Sequence, residues 1–181
     1  MGQAIRDVDL LAFERGSHQA QAAVVDGVRR SLETGFVYTS SDLSPDLLDT
    51  AYGLLAEFFA LAPESKQGCV APGSGGQTGY TGLLVETAAG SSQADWKEML
   101  NWGLPLPANH PLRRRYPLLY PEQVLPEHLV PGISAVLETF HNAIADLQRR
   151  FLRIIALGLG CAETFFDEMT SDAPTLTRAI R

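Results

Sequence analysis

The chain has 181 residues, 45% of them hydrophobic and 19% charged, which is ordinary for one soluble globular domain over residues 1–181 with its own core. Its net charge of −7 and pI near 5.0 argue against a protein that binds nucleic acid through phosphates. The sequence shows no signal peptide and no apolar run near the roughly 20 residues of a membrane-spanning helix, so no membrane partner is expected. Cys69 and Cys161 form no paired motif, which favours a reduced, cytoplasmic protein.

In the N-terminal region, the sequence predicts a helix between two extended segments. Residues 5–13 resemble a short strand or an extended lead-in. Ser17 is a suitable N-cap for a helix with apolar residues at helical spacing, and Gly35 is placed to end it. The β-branched and aromatic run Phe36–Thr39 then predicts a buried strand.

The second helix leads into the central stretch of the chain. Ser44 and Pro45 mark its start, and Pro63 ends it. The stretch from Gly73 to Trp102 follows, with a glycine-rich first half and an alternating second half that predicts a strand. The alternation places Trp96, Glu98, Leu100 and Trp102 on one face. A glutamate there must be paired or line a polar cavity.

The C-terminal region predicts one dominant helix. A proline-rich segment follows Trp102 and contains Arg113–Arg115, which is most simply solvated charge. Apolar residues recur at helical spacing from Pro131 to Leu159, the clearest helix of the chain. A short helix over Glu163–Met169 and a strand over Pro174–Arg181 complete the prediction.

No catalytic motif is complete in this sequence. Glu138 and His141 have the ExxH spacing of di-iron bundles, but the second copy is missing, so a structural histidine is the simpler interpretation. The glycines between residues 73 and 82 lack the lysine of a phosphate-binding loop and precede a strand rather than a helix. No GxSxG motif marks a nucleophile.

The order of several short motifs nevertheless resembles a known family. The motifs are Val8-Asp9-Leu10, Gly35-Phe36-Val37-Tyr38, Phe58-Phe59-x-Leu61-x-Pro63-x-x-x-Lys66, Gly79-Tyr80, Asp95-Trp96-Lys97-Glu98, Leu157-Gly158-Leu159-Gly160 and Ile180-Arg181. In this order they resemble the N-terminal part of the non-haem Fe(II) and 2-oxoglutarate-dependent dioxygenases of the isopenicillin N synthase type.

The resemblance implies an α+β fold: the N-terminal helices and strands of a double-stranded β-helix (jelly-roll) oxygenase, with one long backing helix. Family members bind Fe(II) through an HxD…H motif and 2-oxoglutarate through the iron and an arginine. Those residues would follow Arg181, where a family-typical Tyr-Pro is expected next. We therefore expect an N-terminal portion without the iron-binding jelly-roll half, and no catalytic residue, metal or cofactor bound by this chain alone.

The resemblance also implies which residues would form the wall of a small-molecule substrate site. They are Gln77, Tyr80, Thr81, Glu86, Asn101, Arg178 and Arg181, the two arginines being suited to an acidic substrate group. Two functions remain open: part of an oxygenase that hydroxylates a small molecule, or a non-catalytic binding module derived from the family. The chain alone is expected to expose apolar surface and to aggregate or form a homodimer.

Overall fold

The computed structural model describes residues 5–181, and contacts within the chain group it into two compact units. The first unit contains the residues up to Ser44 together with residues 143–173, and the second contains residues 45–142 together with residues 174–181. Each unit has its own apolar core. Within residues 5–181, none of the helices combines the length and the apolar character needed to cross a membrane.

The first unit is built from a small parallel sheet and helices. Its elements are β1 (Arg6–Asp9), α1 (Leu10–Arg15), α2 (His18–Ser31), β2 (Val37–Ser40), residues from 143 onward of α6 (Ile133–Gly158) and α7 (Asp167–Thr170). β1 pairs with β2 in parallel, from Arg6 opposite Val37 to Asp9 opposite Ser40. The buried core consists of Val8, Leu10, Phe13, Val24, Val28 and Ile154.

Asp9 explains why the predicted lead-in is only half extended. Its carboxylate accepts hydrogen bonds from the backbone N–H groups of Leu11 (2.9 Å) and Ala12 (3.1 Å), and from the Ser40 hydroxyl (2.7 Å). An aspartate at this position caps a helix. The chain therefore leaves β1 at Asp9 and enters α1, so the prediction of an extended segment over residues 5–13 is wrong beyond Asp9.

The strand predicted over Phe36–Thr39 forms one residue later and is not buried. β2 runs from Val37 to Ser40, with only Val37 partly covered, and the side chain of Phe36 is 67% exposed. Aromatic and β-branched residues fit a pleated strand whether or not its faces are covered. β2 pairs only with β1 among the described residues, so propensity predicted the strand and overestimated its burial.

The second unit combines a three-stranded antiparallel sheet with helices. Its elements are α3 (Pro45–Ala60), α4 (Pro63–Lys66), a 3-10 turn (Gln67–Cys69), β3 (Gly79–Thr81), β4 (Met99–Gly103), α5 (Pro111–Arg115), the first ten residues of α6 and β5 (Leu176–Ile180). The strand order is β3-β4-β5, so β4 lies in the centre. The core joins α3, β4 and α6 and contains Ala51, Leu55, Phe58, Phe59, Tyr80, Leu100, Trp102, Val130, Ile133 and Leu137.

The long helix and the two helix starts were predicted closely. Ser17 caps α2, and α3 begins at Pro45 as expected. Beyond the last turn of α6, Cys161 N–H donates to Ala156 O and Gly160, at φ +75°, donates to Leu157 O. This is a Schellman ending, which favours glycine. The short helix predicted over Glu163–Met169 is reduced to Asp167–Thr170.

Candidate functional site

The central strand β4 organises the second unit. All five of its residues are buried, and its neighbours β3 and β5 pair with it in antiparallel register. Successive side chains of a strand point to opposite faces. Leu100 and Trp102 therefore share one face, which packs in the core, and the Trp102 indole N–H donates to Leu137 O at 2.9 Å. Met99 and Asn101 point to the other face.

Glu98, the residue before β4, is the centre of a buried polar network. The Lys66 ammonium and the Tyr80 hydroxyl each donate to its Oε2 at 2.7 Å. Lys66 also donates to Phe59 O at 3.0 Å and lies 5.3–5.9 Å from the ring centroids of Phe58, Phe59 and Tyr80. Lys66 is 2% exposed and Glu98 5%. The network ties α4 to both β3 and β4.

Charge compensation keeps Glu98 ionised in this buried position. Burial on its own raises the pKa of a carboxyl group. Hydrogen bonds from Lys66 and Tyr80, together with the positive charges of Lys66 and Arg181, outweigh it, so the pKa of Glu98 lies below its usual value. Burial and the hydrogen bond to Glu98 raise the pKa of Tyr80 far above its ordinary range, so this phenol stays neutral and donates.

Arg181 closes the same network. Its guanidinium donates to Phe59 O and lies 3.5 Å from Glu98 Oε1, while its backbone exchanges two hydrogen bonds of 3.0 Å with Glu98. The Glu98 carboxylate is thus surrounded by the Lys66 ammonium, the Tyr80 hydroxyl and the Arg181 guanidinium. The side-chain polar atoms of Glu98, Lys66 and Tyr80 all have hydrogen-bond or ion-pair partners. This arrangement suits a structural role better than proton transfer, because the cations around Glu98 keep its carboxylate deprotonated.

Asn101 and Arg178 form a second polar pair, on the face of β4 opposite the core. They lie directly across from each other on β4 and β5. Arg178 Nε donates to Asn101 Oδ1 at 2.8 Å. Asn101 is fully buried, and its Nδ2 has no hydrogen-bond partner among residues 5–181. Arg178 is exposed, so one member of the pair reaches the surface while the other lies beneath it.

The other predicted site residues lie apart from this pair. Thr81 and Tyr80 line a cavity of about 360 Å³ next to the glycine-rich loop. Gln77 is half-buried in that loop, where its backbone N–H donates to Ser74 O. Glu86 forms an ion pair with Lys97 at 3.2 Å. The structure therefore brings Asn101 together with Arg178, and Tyr80 together with Arg181, and their contact with a substrate stays a prediction.

Two expectations about the central stretch have different outcomes. Glu98 is paired, as the sequence required, and its partner is Lys66. The prediction that Trp96 lies on the same strand face as Glu98 is wrong. The regular strand begins only at Met99, and Trp96 is 80% exposed. The sequence alone did not single out Lys66 as the partner of Glu98, although both residues belong to the family motifs and a buried glutamate requires a cation.

The donor groups of residues 5–181 do not fit an iron site. His141 is 2% exposed, but both of its ring nitrogens are engaged, Nδ1 with the Thr177 hydroxyl at 2.7 Å and Nε2 with the Thr175 hydroxyl at 3.0 Å. Glu98 is held by its cations. Across residues 5–181, no three His, Cys, Asp or Glu side chains come together in a way that could hold a metal ion.

Comparison with known proteins identifies the family. A family model described as "non-haem dioxygenase in morphine synthesis N-terminal" matches residues 8–127. The match covers more than half of the chain, and the chain belongs to this family. Comparison with curated proteins finds no match.

Solved structures with the same fold include 2-oxoglutarate and iron-dependent oxygenases. A protein from Caulobacter crescentus, assigned to the 2OG-Fe(II) oxygenase family, is 26% identical, with a TM-score of 0.83 over 99% of this chain and 56% of its own. A full-length protein from Neurospora crassa, in complex with alpha-KG, is 19% identical, with a TM-score of 0.79 over 99% of this chain and 54% of its own. JOX2, in complex with 2OG, Fe and JA, is 23% identical, with a TM-score of 0.61 over 91% of this chain and 43% of its own.

These likenesses confirm the resemblance seen in the sequence. The chain has the mixed helix and sheet fold of the N-terminal region of 2OG-Fe(II) oxygenases. It spans about half the length of the solved structures that it matches.

Proposed function

We propose that this chain forms the N-terminal part of an Fe(II)- and 2-oxoglutarate-dependent oxygenase that hydroxylates a small molecule. The observation that carries the proposal is the likeness to the Caulobacter crescentus protein, at 26% identity and over 99% of this chain. In this proposal the jelly roll, the iron ligands and the residues that bind 2-oxoglutarate are supplied by sequence outside residues 1–181.

The contribution of these residues is a scaffold and one wall of the substrate site. The network around Glu98 holds β3, β4 and α4 together, and the motif residues Lys66 and Tyr80 serve it. Among the seven predicted substrate-binding residues, Asn101 and Arg178 are the best supported. Within residues 5–181, Asn101 Nδ2 and the Arg178 Nη groups have no hydrogen-bond partner, whereas the polar side-chain groups of Tyr80, Glu86 and Arg181 already have partners.

The test is turnover by the protein expressed from the complete natural reading frame that encodes residues 1–181. With Fe(II), O₂ and 2-oxoglutarate, we expect iron-dependent formation of succinate, stimulated by a subset of small-molecule candidates. A matched sample treated with a chelator controls for uncatalysed decomposition. A folded, iron-supplied protein that forms no succinate with any candidate would reject the oxygenase and favour a non-catalytic binding module.

A further inference from the structure

One stretch of the second unit exposes apolar and basic side chains next to each other. Residues 114–119 are all exposed, and their sequence is Arg114-Arg115-Tyr116-Pro117-Leu118-Leu119. The exposed fraction is 68% for Leu118, 48% for Leu119 and 41% for Tyr116. Single exposed leucines are ordinary on a protein surface, but adjoining apolar residues with a polar rim mark a binding surface.

The two leucines lie on a turn whose backbone is fixed. Tyr116 N–H donates to Leu112 O at 2.7 Å, at the end of α5. The N–H groups of Leu119 and Tyr120 both donate to Tyr116 O, at 3.0 and 3.1 Å, and Tyr120 is buried. Six consecutive exposed residues on a closed turn form a firm projection with an apolar tip.

Two arginines at the base of this turn have no acidic partner. Arg113 pairs with Glu122 at 3.6 Å. Within residues 5–181, Arg114 and Arg115 form no ion pair and no side-chain hydrogen bond. The Arg115 guanidinium lies 5.3 Å from the centroid of the Tyr116 ring, a contact that holds the charge beside the turn. Two positive charges therefore remain uncompensated next to the apolar tip.

The net charge of the whole chain does not cancel this local pair. The chain carries −7, which on its own would repel an anionic surface. At physiological salt, however, exposed charges separated by more than about 8 Å are largely screened. The contacts of the turn therefore depend on Arg114 and Arg115 and on the side chains beside them.

We propose that the turn over residues 114–119 binds the surface of an anionic lipid bilayer. Leu118 and Leu119 enter the boundary between headgroups and acyl chains, where exposed leucines lose their contact with water. Arg114 and Arg115 bind lipid phosphates, because guanidinium groups match phosphate oxygens and anionic membranes attract nearby arginines. A lipid surface adapts to a projection, so no complementary pocket is required.

This inference differs from the expectation of no membrane partner. That expectation followed from the lack of a spanning segment in the sequence, and binding at the membrane surface needs none. The inference is also independent of the proposed oxygenase activity, because it concerns where the protein is held and not what it converts.

The test is sedimentation of the natural protein containing residues 1–181 with lipid vesicles. Vesicles of phosphatidylcholine alone are compared with mixed vesicles of phosphatidylcholine and phosphatidylglycerol. We expect binding to the mixed vesicles only. This binding should weaken as the salt concentration rises, because salt screens the attraction between arginine and phosphate.

Two double variants remove the two parts of the turn. Leu118→Ser/Leu119→Ser removes the apolar tip, and Arg114→Gln/Arg115→Gln removes the charges. Each should weaken binding to the mixed vesicles by about tenfold or more, since each removes two groups that contact the bilayer. Circular dichroism checks that both variants are folded.

Two controls alter similar residues elsewhere. Arg149→Gln/Arg153→Gln changes the net charge by the same amount, at arginines that pair with Asp146 and Asp167 in the first unit. Leu159→Ser removes a leucine that is 56% exposed. Both should bind the mixed vesicles as the wild type does.

A separate variant reports insertion directly. In Leu118→Trp, the fluorescence of the new indole, after subtraction of the wild-type emission, should shift to shorter wavelength with the mixed vesicles and stay unchanged with phosphatidylcholine alone.

Three results would overturn the inference. They are a wild type that does not sediment with the mixed vesicles, equal binding to both kinds of vesicle, and turn variants that bind as the wild type does. The first result would favour a protein as the partner of this turn.

Discussion

At the scale of single residues, the family motifs of this chain are mainly structural. Asp9 caps α1, Lys66 neutralises Glu98, and Tyr80 donates to the same carboxylate. In this chain the motif residues therefore make contacts that hold the sheet in place. The free donors lie at Asn101 and Arg178, outside those motifs.

The Lys66–Glu98 pair gives the first prediction. Lys66→Met leaves a buried carboxylate without its main partner, and such a loss costs about 3–5 kcal/mol. We expect the double variant Lys66→Met/Glu98→Gln to lose clearly less unfolding free energy than the two single variants lose together. In the double variant neither charge is left buried without its partner. Urea unfolding of the four proteins in a double-mutant cycle measures the coupling. Additive losses would show that the pair does not act as a unit.

His141 gives the second prediction, on pH dependence. Burial lowers the pKa of His141, so the folded state binds its proton less readily than the unfolded state does. The contribution of the neutral ring is complete above the unfolded pKa, about 6.5, and is lost as the pH falls below it. We expect stability to fall over this range in the wild type and to fall less steeply in His141→Gln.

Chemical denaturation at a series of pH values measures this effect. His128→Gln removes an exposed histidine and controls for the loss of a histidine as such. If the His141→Gln and wild-type slopes coincide between about pH 7 and pH 5, the buried ring does not govern the acid sensitivity.

At the scale of elements, β3 depends on one glycine. Gly79 adopts φ +83°, and a Cβ there would lie 2.6 Å from Cys69 O. The Gly-Tyr motif is thus a steric requirement that lets β3 pass the end of the 3-10 turn while Tyr80 reaches Glu98. Only a residue without a side chain fits both the backbone conformation and the space.

We therefore predict that Gly79→Ala destabilises the protein by about 2 kcal/mol or more, because left-handed backbone strain and a backbone clash add. Gly53 is the matched control: it lies within α3, and a Cβ there meets nothing within 4 Å. Gly53→Ala should stabilise α3 by up to about 1 kcal/mol. Thermal unfolding measures both changes, and equal effects of the same sign would contradict this account of β3.

The sequence predicted elements better than it predicted their surroundings. Periodicity and capping residues located α2, α3 and the long helix α6 because these signals are local. Propensity misjudged the burial of Phe36 and Trp96, since coverage depends on distant segments. The sequence named Asn101 and Arg178 as candidates individually, and only the register of β4 and β5 shows that they pair directly; their contact with a substrate stays a prediction.

At the scale of the whole molecule, the outer edge of β5 is a candidate surface for association. In the described chain β5 pairs only with β4, and Ile180 at this edge is 60% exposed. An unpaired strand edge with apolar residues favours pairing with another chain. This provides a physical reason for the homodimer expected from the sequence.

We predict that the 181-residue chain expressed alone associates as its concentration increases. Ile180→Lys should shift it toward the monomer, because a charged edge residue disfavours strand pairing. Leu159→Lys, at a similarly exposed leucine beyond α6, is the matched control and should change little. Sedimentation velocity over a concentration series measures the shift. A wild-type chain that stays monomeric would contradict the prediction.

Iron-dependent conversion of 2-oxoglutarate to succinate by the natural protein containing residues 1–181 tests the central claim most directly. The account predicts succinate formation that requires Fe(II) in the natural protein, and none by residues 1–181 alone, because the donor groups of residues 5–181 do not fit an iron site. A folded natural protein with no such activity, or an isolated chain with full activity, would contradict it.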